Sequence, residues 1–209
     1  MTLLLSALGG YLIGSIPTAD WLGRLAGLRL RDAGSGNPGA NNALQLGGPS
    51  LAAAVLLVEM AKGMAAVLAG EALATETGAV ISGLGAVAGN VYNVWYRGRG
   101  GKGLGITAGV LLAAWPIALI PSLLLIGVAV LITKSSGLAT LIAMGGLLVL
   151  SLLWLWQDWP NLWGVGNEAL LVALAAGIGA LVFNRHWRDS PFSGSNPPRL
   201  RGPGSPARR

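Results

Sequence analysis

Residues 104–133, LGITAGVLLAAWPIALIPSLLLIGVAVLIT, form an uncharged, largely apolar run between the basic segment Arg97-Gly-Arg-Gly-Gly-Lys-Gly103 and Lys134. A helix needs about 20 apolar residues to cross a bilayer core, so this run is long for one crossing and short for two. Pro116 and Pro121 mark where the chain turns between two short helices, at 104–117 and 119–133; one long kinked helix is the alternative. Charge favours two. Cytoplasmic loops of membrane proteins are enriched in Lys and Arg, and keeping both 97–102 and Lys134 on that side requires an even number of crossings between them.

Outward from this stretch, further apolar runs fall at 3–23, 49–69, 77–96, 138–157 and 166–184, most of them near the length of a span. The sequence therefore predicts an all-α integral membrane protein of seven transmembrane helices, two of them short. Its hydrophobic fraction of 53%, charged fraction of 11% and mean hydropathy of +0.64 exclude an ordinary soluble domain, whose surface needs more polar groups. Thirteen of the fourteen Lys and Arg residues lie in 24–31, 97–102, 134 and 185–209, whereas 70–76 and 158–168 carry only acidic charges. That asymmetry predicts an outside amino terminus and a cytoplasmic carboxyl terminus. Trp21, Trp95 and Trp187 fall at the inner boundary, and Trp115, Trp154, Trp156, Trp159 and Trp163 at the outer one, as interfacial aromatic belts would.

No basic n-region precedes the first apolar run, which argues for a first span over a cleaved signal peptide. Residues 1–188 read as one membrane domain, and 189–209, rich in Ser, Pro, Gly and Arg, as a disordered basic cytoplasmic tail. The tail either solvates that end or attracts anionic lipid weakly. No internal repeat is evident, which argues against transporter folds built from inverted halves. The net charge of +6 follows from membrane topology and needs no nucleic-acid partner. With no cysteine and His186 the sole histidine, disulfides, thiol catalysis and His/Cys metal clusters are excluded; we expect no metal and no cofactor.

Two glycine-rich loops carry the chemistry: Gly34-Ser-Gly-Asn-Pro-Gly-Ala-Asn-Asn42 and Gly100-Gly-Lys-Gly103 with its arginine neighbours. Glycine lets backbone amides approach an anion, Lys102 supplies charge, and the helices that follow present amino termini that favour anions. Tight turns are the plainer explanation of either loop alone. The spacing of Gly34, Gly36 and Gly39 matches a dinucleotide fingerprint, but no buried strand precedes it, and Gly98 to Gly103 lacks the P-loop spacing and hydroxyl. Topology sets both loops on one face with Ser135, Ser136 and His186, where the bilayer offers an acyl chain and the cytoplasm a polar anion. Glu59 and Lys62, one helical turn apart, read as an ion pair inside the bundle, and Asp20 as a cap or ion-pair partner. For His186, interfacial anchoring and catalysis are equally compatible with its place at the end of the last helix.

The two loops, together with Gly14-Ser-Ile-Pro17, Gly47-Gly48, Glu59-Met-Ala-Lys-Gly63, Ser135-Ser136 and Arg185-His186, resemble in order and spacing the PlsY-type acyl-phosphate:glycerol-3-phosphate acyltransferases. The resemblance covers nearly the whole chain except the tail. It implies acyl transfer from acyl phosphate to glycerol 3-phosphate, giving lysophosphatidic acid and phosphate at the cytoplasmic face of the plasma (inner) membrane, with membrane lipid as surroundings. It also implies catalytic roles for Ser35, Lys102 and His186. Substrate contacts are expected from Gly36, Asn37, Gly39, Asn42, Gln45, Gly100, Gly101, Gly103, Ser136 and Asp189. Four positions differ from the family's usual pattern: Asn41 for threonine, Gln45 for arginine, Asn90 for histidine and Asp189 for asparagine. A paralogue with another acceptor or without activity, and a small-anion transporter, are the competing readings.

Overall fold

The structure, a computed structural model, describes residues 1–188, 190 and 192. The expected tail and Asp189 lie outside the described residues, apart from Ser190 and Phe192. Seven α-helices and one short 3-10 turn, with no strand among the described residues, make up the molecule: α1 (Thr2–Ser15), α2 (Thr18–Leu25), α3 (Ala40–Val91), the turn Val94–Tyr96, α4 (Leu104–Ala114), α5 (Pro116–Thr133), α6 (Ser136–Gln157) and α7 (Glu168–Trp187). Five stretches are helical, long and apolar enough to cross a membrane: Thr2–Leu25, Ala40–Tyr96, Pro116–Thr133, Ser136–Gln157 and Glu168–Trp187.

The 52-residue α3 is not straight. Gly48, at φ 80° and ψ −176°, interrupts it just before Pro49, and Ala74 and Thr75 leave helical geometry between Glu71 and Glu76. Beyond that break the chain doubles back: the Ser82 hydroxyl donates to the Ala66 carbonyl at 2.6 Å, and a Cβ on Gly70 would stand 2.2 Å from the Gly78 oxygen. Two antiparallel arms result, matching the separate runs read at 49–69 and 77–96.

Three sequence expectations need correction. The first apolar run is not one helix, because Pro17 has no N–H to continue α1 and the chain breaks at Ile16 before α2 starts. Only one of the pair at 104–133 is short: α5 begins with Pro116 at its first turn, absorbs Pro121 internally and reaches 18 residues, while α4 has 11. They are separate helices that meet at Trp115, whose φ of −151° and ψ of 71° end α4. Trp115 and Trp154 do not join an interfacial belt. Both are buried and stack edge-to-face at 5.7 Å between ring centroids.

At 1.5 Å per residue α4 spans about 16 Å, roughly half of a ~30 Å hydrocarbon core. It forms the buried axis of the bundle, with only Leu104, Gly105 and Leu112 not buried. Close backbone approach permits this: a Cβ on Gly109 would fall 1.9 Å from the Met60 carbonyl, so α4 and α3 touch main chain to main chain. The exposed carbonyls at its end are met by the segment between α6 and α7. Asn161 Nδ2 and the Val165 amide donate to the Ala114 oxygen at 3.0 and 2.9 Å, and Trp163 Nε1 donates to Leu112 at 2.9 Å. The amino end of α4 is thereby fixed opposite, directly after Lys102-Gly103.

Candidate active site

The first loop takes its shape from Asn42. This buried residue in the first turn of α3 accepts the Ser35 amide at 2.9 Å on its Oδ1 and donates from Nδ2 to the Leu30 and Ala33 carbonyls at 2.7 and 3.2 Å. Gly34, at φ +61°, sits so close that a Cβ would lie 2.2 Å from Asn42 Oδ1. Asn42 thus braces the loop, leaving Ser35 and Gly36 exposed and Asn37 half-buried. Gly39 is the N-cap of α3, and Gln45 lies exposed on that helix.

The second loop closes back on the end of α3. The amides of Gly100 and Gly101 donate to the carbonyls of Val91 and Asn90 at 3.0 and 2.8 Å, and a Cβ on Gly100 would stand 1.9 Å from the Asn90 oxygen. The expectation of an amide cradle is corrected here. The amides of Ser35, Gly36, Asn37 and Gly39 are likewise engaged, with Asn42 Oδ1, the Ala33 carbonyl, Ser35 Oγ and the Asn37 carbonyl. Most glycines serve turns and close contacts, because loop peptides away from helices must still satisfy their own hydrogen bonds. The half-buried Lys102 and the start of α4 behind Gly103 remain as the features of this loop that suit an anion.

Beneath the loops lies a buried polar hub. Glu59 accepts from Thr18 Oγ1 at 2.7 Å, from Asn90 Nδ2 at 2.7 Å and from Lys62 Nζ at 3.0 Å on each carboxylate oxygen. The ion pair read from the sequence is present, and its role is visible at the α1–α2 break. Lys62 donates to the Ile16 carbonyl at 2.8 Å and Asn93 Nδ2 to the Ser15 carbonyl at 2.7 Å, satisfying acceptors that the break before Pro17 leaves without helical partners. Asp20 pairs with Arg31.

These elements enclose a cleft lined by Pro17 from the break, Asp20 from α2, Arg31 just before the first loop and Pro38 within it, Glu59, Asn90 and Asn93 from α3 and its end, and Gly101 from the second loop. Both glycine loops therefore border one polar recess in an apolar bundle. His186 stands on α7 behind the second loop, outside the cleft lining: Gly103 packs against Val182, whose carbonyl lies 3.0 Å from His186 Nδ1 and assigns the ring proton to that nitrogen. His186 is buried, and its neighbour Arg185 donates to the carbonyls of Val91 and Gly98 at 3.1 and 2.7 Å. Of the site residues read from the sequence, Gly101 lines the cleft; Ser35, Lys102 and His186 do not, nor do Ser136, at the exposed start of α6, and Gln45, and Asp189 lies outside the described residues.

The model of the glycerol-3-phosphate acyltransferase family matches residues 4–191, nearly the whole chain. The chain belongs to that family. Among its relatives, the glycerol-3-phosphate acyltransferase of Synechococcus sp. (strain JA-3-3Ab) is 40% identical over 202 residues, covering 94% of this chain and 93% of its own. That of Agrobacterium fabrum is 44% identical over 143 residues, covering 68% and 70%. The fold is similar to the crystal structure of PlsY, an integral membrane glycerol 3-phosphate acyltransferase, in its glycerol 3-phosphate form: TM-score 0.72, 27% identity, 89% of this chain and 88% of that one. Its lysophosphatidic acid form gives a TM-score of 0.72 at 26% identity, with the same coverage.

As a member of this family, the chain is an acyltransferase and a multi-pass membrane protein. Sequence reasoning missed Thr18 and Asn93 as parts of the cleft's frame and took Arg31 only as one of the basic residues of 24–31. Thr18 follows the Gly-Ser-Ile-Pro stretch directly, and a proline inside an apolar run was the available signal that polar partners would gather there. Asn93 had no comparable signal, since its partner at Ser15 is 78 positions away.

Proposed function

We propose that the chain transfers the acyl group of an acyl phosphate to the 1-hydroxyl of glycerol 3-phosphate in the cleft between the two glycine loops. The observation that carries this reading is the meeting of Pro38 and Gly101, one from each loop, around a single polar recess in an apolar helix bundle. An enzyme joining a lipid chain to a charged alcohol needs such a recess at a membrane face.

Lys102 and the amino end of α4 hold the phosphoryl group and stabilise the charge that grows on it as it departs. Ser35 and His186 position the glycerol phosphate. The acceptor hydroxyl attacks the acyl carbon directly, the bond from that carbon to the phosphate oxygen breaks, and a phosphate oxygen takes the hydroxyl proton. Orientation supplies much of the rate, because no side chain pair in the cleft forms an activated nucleophile. Lysophosphatidate and inorganic phosphate are the products, feeding phospholipid synthesis.

For topology, we take seven apolar segments as forming the membrane bundle, with α3 contributing its two arms and the short α4 completed by the α6–α7 segment that meets its end, the amino terminus outside and both loops cytoplasmic, in the plasma membrane. Residues 1–188 then act as one catalytic domain. The basic residues at 24–31, 97–102 and 185–188 support this orientation.

Detergent-purified protein incubated with acyl phosphate and a panel of alcohol phosphates tests the reading. Phosphate release that rises with glycerol 3-phosphate above all other acceptors is expected. Release with a different acceptor alone replaces the substrate, and release with none refutes acyl transfer. Gln45→Arg adds a charged group where the family's pattern has arginine, and a charge-assisted contact contributes about 1.5–3 kcal/mol. It is expected to lower the apparent KM for glycerol 3-phosphate. An unchanged KM removes position 45 from the acceptor site.

A further inference from the structure

Arg31 stands three residues before the first glycine loop, with its side chain 24% exposed, and its guanidinium makes three separate contacts. Nε donates to the buried Asp20 carboxylate of α2. Nη1 donates to the Arg99 carbonyl at 2.8 Å, and the guanidinium carbon lies 3.4 Å from the centroid of the Tyr96 ring. Tyr96 and Arg99 lead directly into Gly100-Gly-Lys-Gly103, so one side chain spans from the first loop to the strand of backbone that carries Lys102. Arg185 grips the same backbone from α7, at the Gly98 carbonyl. A planar, forked cation can hold a carboxylate, a carbonyl and a ring face together, which an ammonium cannot.

The helices do not depend on this contact. The arms of α3 and α4 join through their own main-chain approaches at Gly70 and Gly109, remote from Arg31 in sequence. What Arg31 controls is the separation and register of the two loops. We propose that Arg31, oriented by Asp20 and Tyr96, is a positioning residue for acyl transfer: it sets the lysine loop against the first loop so that Lys102 on the acyl phosphate and Ser35 on the glycerol phosphate hold the two substrates within reach of each other. The proposal rests on the acyltransfer reading above. A reactant held about 1 Å out of place can cost on the order of 10²-fold in rate.

The test uses the full chain, whose lack of cysteine allows clean labelling. Spin labels on Ala33→Cys and Arg97→Cys, both at exposed positions, report the distance between the loops. Arg31→Lys is expected to broaden that distance distribution and to lower kcat/KM for glycerol 3-phosphate by on the order of 10²-fold at an unchanged melting temperature. Tyr96→Leu keeps the charge and removes the ring, and is expected to give a smaller change of the same kind; it carries the test if Arg31→Lys does not fold. Parental kinetics in the variants overturn the proposal. So does a kinetic loss with an unbroadened distance, which makes Arg31 a substrate contact, or a kinetic loss that follows a fallen melting temperature. Absent acceptor-dependent release in the parent protein refutes the acyltransfer reading on its own, and the distance distribution still decides whether Arg31 holds the loops.

Discussion

Lys102→Ala protein is expected to fold as the parent does and to lose turnover by on the order of 10²–10³-fold, the usual cost of removing one group that stabilises developing charge. Main-chain geometry holds the backbone on both sides of this residue: the Gly101 amide is locked to the Asn90 carbonyl at 2.8 Å, and Gly103, at φ +84°, turns the chain into α4. Alanine therefore keeps the loop and removes the charge. The loss should appear in kcat/KM for both substrates if Lys102 serves the phosphoryl group, with Lys102→Arg recovering part of it. Phosphate release measured beside thermal unfolding checks this. Near-parental activity would take Lys102 out of the mechanism.

The second large effect is on stability. Glu59 and Lys62 are both 7% exposed, and their interaction ties the α1–α2 break to α3. In Glu59→Gln the Lys62 ammonium stays buried with the Ile16 carbonyl and Thr18 but without a counter-charge, and breaking a buried pair in this way costs about 3–5 kcal/mol. Glu59→Gln combined with Lys62→Met removes both charges and should unfold at a higher temperature than Glu59→Gln alone. Thermal unfolding in detergent measures both. A single variant as stable as the parent, or a double variant less stable than the single, would contradict this account of the hub. Activity should fall with the single change as well, because Glu59 lines the cleft and fixes Asn90, which holds Gly101 through its carbonyl.

Hydropathy and charge made most of the helical framework legible. Pro49 begins an arm of α3 where the apolar run begins, and the break at Ala74 and Thr75 falls between the acidic Glu71 and Glu76. A sliding apolar count ran through the break at Pro17, although α2 beyond it holds Thr18, Asp20 and Arg24, because one missing N–H decides the geometry. It could not separate Trp115, buried against Trp154, from Trp163 at the surface, since tryptophan suits both places.

For the site, local spacing revealed the Glu59–Lys62 pair and each of the two loops, whose own residues are neighbours in sequence. It did not reveal Thr18 and Asn90 on Glu59, 41 and 31 positions away, or Arg31 on the Arg99 carbonyl, 68 positions away. The loops also showed how composition can mislead. Glycine gives amides the freedom to face an anion, yet Gly100 and Gly101 use it to approach the end of α3 and bond there. On the proposed reading, the side chains of Lys102 and Arg31 carry more of the site than its glycines do.

Direct transfer in the cleft is the central claim, and acyl phosphate labelled in its acyl chain tests it most directly. With glycerol 3-phosphate present, the purified protein should move the label into lysophosphatidate in equal amount to the phosphate released, with no label on the protein and little release when the acceptor is withheld. Phosphate release that ignores the acceptor, or label recovered as a covalent acyl group on the chain, would contradict it.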